Sequence, residues 1–289
     1  MEKQQATNQV PEKKSVLRVV IHSFFVVPLI IAIFSVIIFL VVRIITSEPN
    51  TAQDYLEDVK IGGSTKRWQG AFELSKILSN PKMIPKDDRF ILEMISSFEY
   101  ASNDRDSRVR QYLALAMGAT KDSRYVPTLL ASLDSSEPEM IMASIHALGN
   151  IGDNAAVQSI INILDHGEAK VRLQAVISLG KIGDKSSISN LKEMMTDSEV
   201  NVRWDAAIAL AKLGDPSGQR ILLDLLDRSY LDSVPNIDEI EQVQAMMVAI
   251  QVAPFIQDLE LKTSLVHLKQ NDPNLKIREA ARKTLTQFE

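Results

Sequence analysis

Ala147-Leu148-Gly149-Asn150-Ile151-Gly152-Asp153 returns 31 residues later as Ser178-Leu179-Gly180-Lys181-Ile182-Gly183-Asp184, and 31 later again as Ala209-Leu210-Ala211-Lys212-Leu213-Gly214-Asp215. Working outward from this phrase, other positions keep the same step. Gly118, Gly149 and Gly180 form one series; Asp122, Asp153, Asp184 and Asp215 form a second; Leu133, Leu164, Met195 and Leu226 form a third. Arg110, Arg172 and Arg203 fall on the step as well, with Ile141 in the missing turn. A fixed period of this size marks a repeat architecture: a unit of about 30 residues cannot bury its own apolar face, and stacking on its neighbours completes the core.

Each unit reads as two helices. In 137–167, Glu137-Pro138 opens the first, because proline suits the first helical turn. Met140, Ile141, Ala143, Ser144, Ile145, Ala147 and Leu148 carry it, and Gly149-Asn150-Ile151-Gly152 is expected to end it. Asp153 then stands where a carboxylate accepts from the first free N–H groups of a second helix. Val157, Ile160, Ile161 and Leu164 supply that helix with an apolar stripe. The aspartates at 122, 153, 184 and 215 are therefore read as structural caps. Arg110, Arg172 and Arg203 are read as a ladder between successive units, bonding loop carboxylates.

The units resemble HEAT repeats, in the short bacterial form named after phycobilisome lyases. The phrases quoted at the outset carry the resemblance, which covers 106–228 clearly and extends weakly across 64–289. It implies an all-α fold, an α-solenoid of stacked helical hairpins that serves as a protein-binding scaffold, and it points to no particular partner. The flanks depart from the pattern. Residues 64–79 and 87–100 read as helices without Gly-Asp, although Arg67-Trp68-Gln69-Gly70-Ala71 echoes Arg203-Trp204-Asp205-Ala206-Ala207. Residues 229–240 read as a longer polar loop, followed by helices at about 239–252, 256–270 and 275–288. Atypical ends are expected because terminal units cap the core.

Composition agrees with helices. Ala, Leu, Ile, Val and Met dominate, and glycine and proline, at 11 each, are too few for a fold rich in tight turns. There is no cysteine, which excludes disulfides, thiolate nucleophiles and cysteine-held metal or iron–sulfur sites. The net charge is −5, unevenly spread: residues 1–18 carry +2 and Arg43 adds one, which leaves −8 on 47–289. An acidic domain is a poor nucleic-acid binder.

Val19 to Val42 runs 24 residues without Asp, Glu, Lys or Arg. As a helix it rises roughly 36 Å, enough for a hydrocarbon core of about 30 Å. Arg18 and Arg43 bracket it and can snorkel to the two interfaces. A cleaved signal peptide has a shorter apolar core and small residues at its end; here Val41, Val42, Ile44 and Ile45 are bulky. The chain is thus expected to divide into a short basic tail (1–18), a transmembrane helix (19–45), a juxtamembrane linker (46–63) and a solenoid (64–289). Four basic residues precede the apolar run, whereas Arg43 alone follows it before Lys60. The positive-inside rule then puts the tail in the cytoplasm and the solenoid outside it, in a bacterial plasma (inner) membrane crossed once.

No catalytic signature emerges. His22, His146, His166 and His267 lack a second ligand at helical spacing, and there is no nucleophile elbow, phosphate loop or zinc-protease motif. Asp104-Arg105-Asp106 lacks the glycine and closing glutamate of a calcium loop and reads as a turn with a helix cap. No cofactor, metal or small-molecule substrate is expected. Two segments are candidates for partner binding: the insertion, through Tyr230, Leu231, Val234 and Ile237, and the pair Arg67 and Trp68. For Trp68, packing on Phe72 four residues on is the competing role. The expected function is a non-catalytic, membrane-anchored scaffold that recruits or braces a protein complex. The alternatives are a bilin lyase-like enzyme, suggested by the same resemblance, and a nucleic-acid-binding solenoid, which the acidic balance disfavours.

Overall fold

A glycine inside the first helix of three successive units sets how closely they stack. A Cβ at Gly118 would stand 2.7 Å from the Cβ of Ala147; at Gly149, 2.7 Å from that of Ser178; at Gly180, 2.8 Å from that of Ala209. The first helices of successive units therefore touch backbone to backbone through a glycine on one and a small residue on the next. In the sequence Gly149 looked like part of a helix stop; it is an interior residue, and the stop is Gly152. Gly152, Gly183 and Gly214 have φ of +76°, +80° and +75°, the left-handed conformation that ends a helix at little cost only for glycine. Lys121 holds the same place one unit earlier at φ 58°.

The computed structural model describes residues 22–46, 50–235 and 237–288. They fall into two units, one on each side of Asn50–Thr51. In the first, a π-helical turn, His22–Val26, leads into α1, Val27–Thr46. Pro28, which has no N–H to give the carbonyl four residues back, lies just past the widened turn. Phe24–Val42 has a mean hydropathy of 3.3 with none of it buried, so by length and composition it is sufficient to cross a bilayer. The basic tail and the first residues of the expected span lie outside the described residues, and α1 continues one residue past the expected end.

The second unit is helical, with no strand among the described residues. It opens with α2 (Ala52–Ile61), capped by a reciprocal Thr51–Asp54 box. Five hairpins follow: α3 (Ser64–Ile77) with α4 (Asp88–Tyr100), α5 (Arg108–Thr120) with α6 (Val126–Ala131), α7 (Pro138–Ile151) with α8 (Val157–Ile161), α9 (Ala169–Ile182) with α10 (Ile188–Met194), and α11 (Val200–Lys212) with α12 (Gln219–Leu225). The stretch read as a loop carries a short helix, α13 (Arg228–Ser233). A sixth hairpin, α14 (Glu239–Val252) with α15 (Leu259–Asn271), precedes the last helix, α16 (Leu275–Thr284). Helices α3, α5, α7, α9 and α11 pack in series, and α14 and α16 continue the row.

The second helices α6, α8, α10 and α12 are short, and each is entered through a one-turn 3-10 helix. Asp122, Asp153, Asp184 and Asp215 accept the N–H of Arg124, Ala155, Ser186 and Ser217 at 2.8–3.0 Å. The repeated aspartate thus caps the connecting turn, not the α-helix itself. Buried apolar side chains form one core from Ala52 to Leu213 and another from Trp204 to Ala281. The boundary is α11, which sends Val202, Ala206 and Ala209 into the first and Trp204, Ala207 and Ala211 into the second.

Candidate functional site

The loops between hairpins hold the polar chemistry. Arg172, on α9, makes a two-pronged ion pair with Asp197 of the next loop, Nε and Nη2 donating at 2.7 and 2.8 Å. Its Nη1 donates to the His166 carbonyl of the preceding loop. One guanidinium thereby ties two successive loops, and it holds the Asp197 carboxyl below the usual carboxylate range. Arg203 gives Nη1 to the carbonyls of Asp197 and Ser198 but has no carboxylate. The period puts Arg228 where that carboxylate would stand, and Arg228 turns instead to Asp272, at 2.7 and 2.8 Å. At Arg110 the counterpart of Asp197 is Ser135. The guanidinium lies 4.7 Å from the Phe98 ring, and its buried Nε has no hydrogen-bond partner. A cavity of about 50 Å³ adjoins it, lined by Asp104, Ser135 and Glu137.

The candidate binding residues divide between two places. Arg67 on α3 lies within 2.7 Å of Asp104, donates Nε to the Val59 carbonyl at 2.7 Å and lies 5.4 Å from the Tyr100 ring. Trp68 beside it is half-buried against the core under the Arg108 guanidinium, 4.3 Å from its ring. Phe72 meets Tyr112 edge-on at 5.1 Å. In the insertion, the Tyr230 hydroxyl accepts from Trp204 Nε1 at 3.3 Å, and Leu231 is completely buried. Val234 and Ile237 are half-buried against the second core. The insertion therefore folds onto the solenoid: Leu231 is committed to the interior, while Tyr230, Val234 and Ile237 keep part of their surface.

Sequence reasoning missed one cavity altogether. Between α12, α13 and α15 lies a cleft of about 630 Å³ with Arg220, Asp224, His267 and Asn271 on its walls and the Arg228–Asp272 pair within it. The pairing spans 44 residues, and no motif announces it. Two further cavities, of about 270 and 320 Å³, share Arg67 and Tyr100. Catalytic geometry does not assemble in any of these places. His146 lies on α7, His166 in the loop after α8 and His267 on α15; the Nδ1 of His166 accepts the Glu168 N–H, and burial lowers the His146 pKa, with Lys181 adding to the effect. No group of three or more His, Asp or Glu suited to a metal ion occurs among the described residues. Asp104 and Asp106 serve a turn, with Asp106 clasping Arg108 at 2.6 and 2.8 Å. Burial on α11 pushes the Asp205 carboxyl up to about 6, against the pull of Lys212.

Two stretches of the chain, 97–165 and 157–234, match the family described as HEAT repeats. None of the curated proteins matches. Among solved structures, the complex of CpcE and CpcF of phycocyanin lyase from Nostoc sp. PCC7120 is similar, with a TM-score of 0.57 at 17% identity, covering 83% of this chain and 97% of that one. A HEAT-like repeat protein from Thermococcus onnurineus NA1 is 14% identical over 84% of this chain and 98% of its own, with a TM-score of 0.45. At these identities the likeness to the lyase is one of fold alone.

Proposed function

We propose that this chain, whose residues 97–234 are HEAT repeats, is a membrane-anchored, non-catalytic scaffold that binds another protein and holds its complex at the bilayer. Residues 1–18 are the basic tail, 19–45 the single membrane span, 46–63 the juxtamembrane segment and 64–289 the solenoid. The observation that carries the reading is the pairing of a serial helical stack with a helix whose apolar side chains, Phe24 to Val42, are all exposed. A run of stacked hairpins offers an extended surface that a partner can follow unit by unit. Nineteen exposed residues, apolar but for Ser35, need a nonpolar environment, and a bilayer supplies one. In this reading the tail is cytoplasmic and the solenoid extracytoplasmic, at a bacterial plasma membrane.

In-cell crosslinking of the tagged chain, followed by mild-detergent capture and mass spectrometry, tests the scaffold. The expected result is a reproducible set of envelope proteins, lost when the solenoid is replaced and the anchor kept. Capture of pigment proteins or nucleic acid alone overturns it. Protease added to intact spheroplasts tests the orientation: digestion of the solenoid is expected, and full protection reverses it.

A further inference from the structure

Among the described residues of the solenoid, large apolar side chains stand exposed at only three places before residue 240: Ile61 (76%), Leu92 (67%) and Tyr100 (65%). All three belong to the end of the stack that follows the apolar helix. Leu92, Ser96 and Tyr100 recur at four-residue steps on α4 and so share one face. Helix α2 is tied to α4: Gln53 near its start donates to Glu93 at 2.9 Å, and Lys60 near its end lies 3.4 Å from the same carboxylate. Ile61 follows Lys60 directly, and Arg67 joins the Val59 carbonyl to the Tyr100 ring. Three neighbouring pairs of charges are matched internally, Lys60–Glu93, Lys66–Asp58 and Arg67–Asp104, while Arg89 and Glu99 on α4 stand exposed with no ion pair among the described residues. What this end offers a partner is apolar bulk with one phenol among charges that are largely paired. Side chains of that kind, a phenol with its apolar body and polar tip above all, collect at the bilayer–water interface.

We infer that this end of the solenoid rests on the lipid surface, with Ile61, Leu92 and Tyr100 entering the interfacial layer. The inference depends on reading residues 19–45 as an anchor. Five residues, 47–51, separate α1 from α2, and fully extended they reach at most about 17 Å. A patch confined so near a surface meets it at an effective concentration of order millimolar, so a contact too weak to hold a free protein is populated.

The chain has no cysteine, so one introduced at Ile61→Cys, Leu92→Cys or Leu275→Cys carries an environment-sensitive fluorophore at a single place. Leu275, 69% exposed on the last helix, is the control. The full chain is reconstituted into phosphatidylcholine vesicles with plain or brominated acyl chains. The expected result is blue-shifted emission at 61 and 92 that is lost in brominated lipid, with a water-like, unquenched probe at 275. Leu92→Ser with Tyr100→Ser should reduce the quenching at 61. Water-like emission at 61 and 92 overturns the inference, and so does a blue shift without quenching, which signals burial against protein. Flotation after an alkaline wash reads the anchor separately. A chain that stays inserted while its probes report water refutes the lipid contact alone; a chain that washes off refutes the anchor and the contact with it.

Discussion

Replacing Gly180 by alanine tests the stacking geometry at a junction where the partner is a single methyl. The added methyl would stand 2.8 Å from the Cβ of Ala209 and 3.1 Å from its Cα, whereas nonbonded carbons settle at about 3.5–4.0 Å. Helices α9 and α11 must therefore part by roughly 1 Å, and overpacking of this kind costs about 1–3 kcal/mol. Alanine also returns about 1 kcal/mol of helix propensity, so the single variant should lose roughly 0–2 kcal/mol. Ala209→Gly alone should lose about 1 kcal/mol through propensity. The two together move the single methyl from one helix to the other and restore the space. The double variant should then lie close to the original protein, with a favourable coupling of about 1–3 kcal/mol. Urea unfolding of the detergent-solubilised chain, followed by far-UV circular dichroism, measures all four proteins. Strict additivity of the two changes would mean that α9 and α11 do not meet through this pair of residues.

Other substitutions probe other parts of the stack. Lys121→Gly relieves a left-handed lysine at the place where later units have glycine, and should raise stability by about 1 kcal/mol; an unchanged urea midpoint would contradict this. Arg172→Ala strands the Asp197 carboxylate, whose side chain is 6% exposed, and should cost about 3–5 kcal/mol, with part of the loss recovered when Asp197→Ala is added. Asp197 has a lowered folded pKa, so its contribution is present above the unfolded value of 3.8 and fades as pH falls through the folded one; the Arg172→Ala protein should lose less on acidification. Asp205 works in the opposite sense. Its folded pKa of about 6 exceeds the unfolded 3.8, so the folded state keeps the proton longer and stability declines as pH rises from about 4 to 6. Asp205→Asn should flatten that decline and add roughly 1–3 kcal/mol at pH 7, and a melting profile with the original pH dependence would refute the assignment.

The repeat was legible because it is written twice, in apolar spacing and in glycine. The 31-residue step located the hairpins and the capping aspartates before any coordinates. Where the reading went astray, the cause is physical. Gly149 looked like a helix stop because glycine has two uses, and sequence does not say whether a glycine is needed for its torsion angle or for its missing side chain. The 229–240 insertion looked like a polar loop whose Tyr230, Leu231, Val234 and Ile237 were free to meet a partner. Leu231 nevertheless finds a core that α14 supplies from further along the chain, and its carbonyl accepts from Gln242 at 3.4 Å. The binding surfaces were the least legible part. The large cleft depends on Arg228 meeting Asp272, a pairing that follows only once the period has broken. The apolar triplet at Ile61, Leu92 and Tyr100 arises from two helices that no repeat phrase marks.

The uniform junctions have a consequence for how such a chain can change over generations. Gly118 against Ala147, Gly149 against Ser178 and Gly180 against Ala209 are nearly the same joint made three times. A duplication or loss of one 31-residue segment within this region would leave every remaining joint intact. Downstream of α11 the option closes, because Ala211 occupies the glycine place and α13 intervenes before α14. As far as packing is concerned, the middle of the solenoid can therefore be lengthened or shortened in whole 31-residue units, while its two ends cannot.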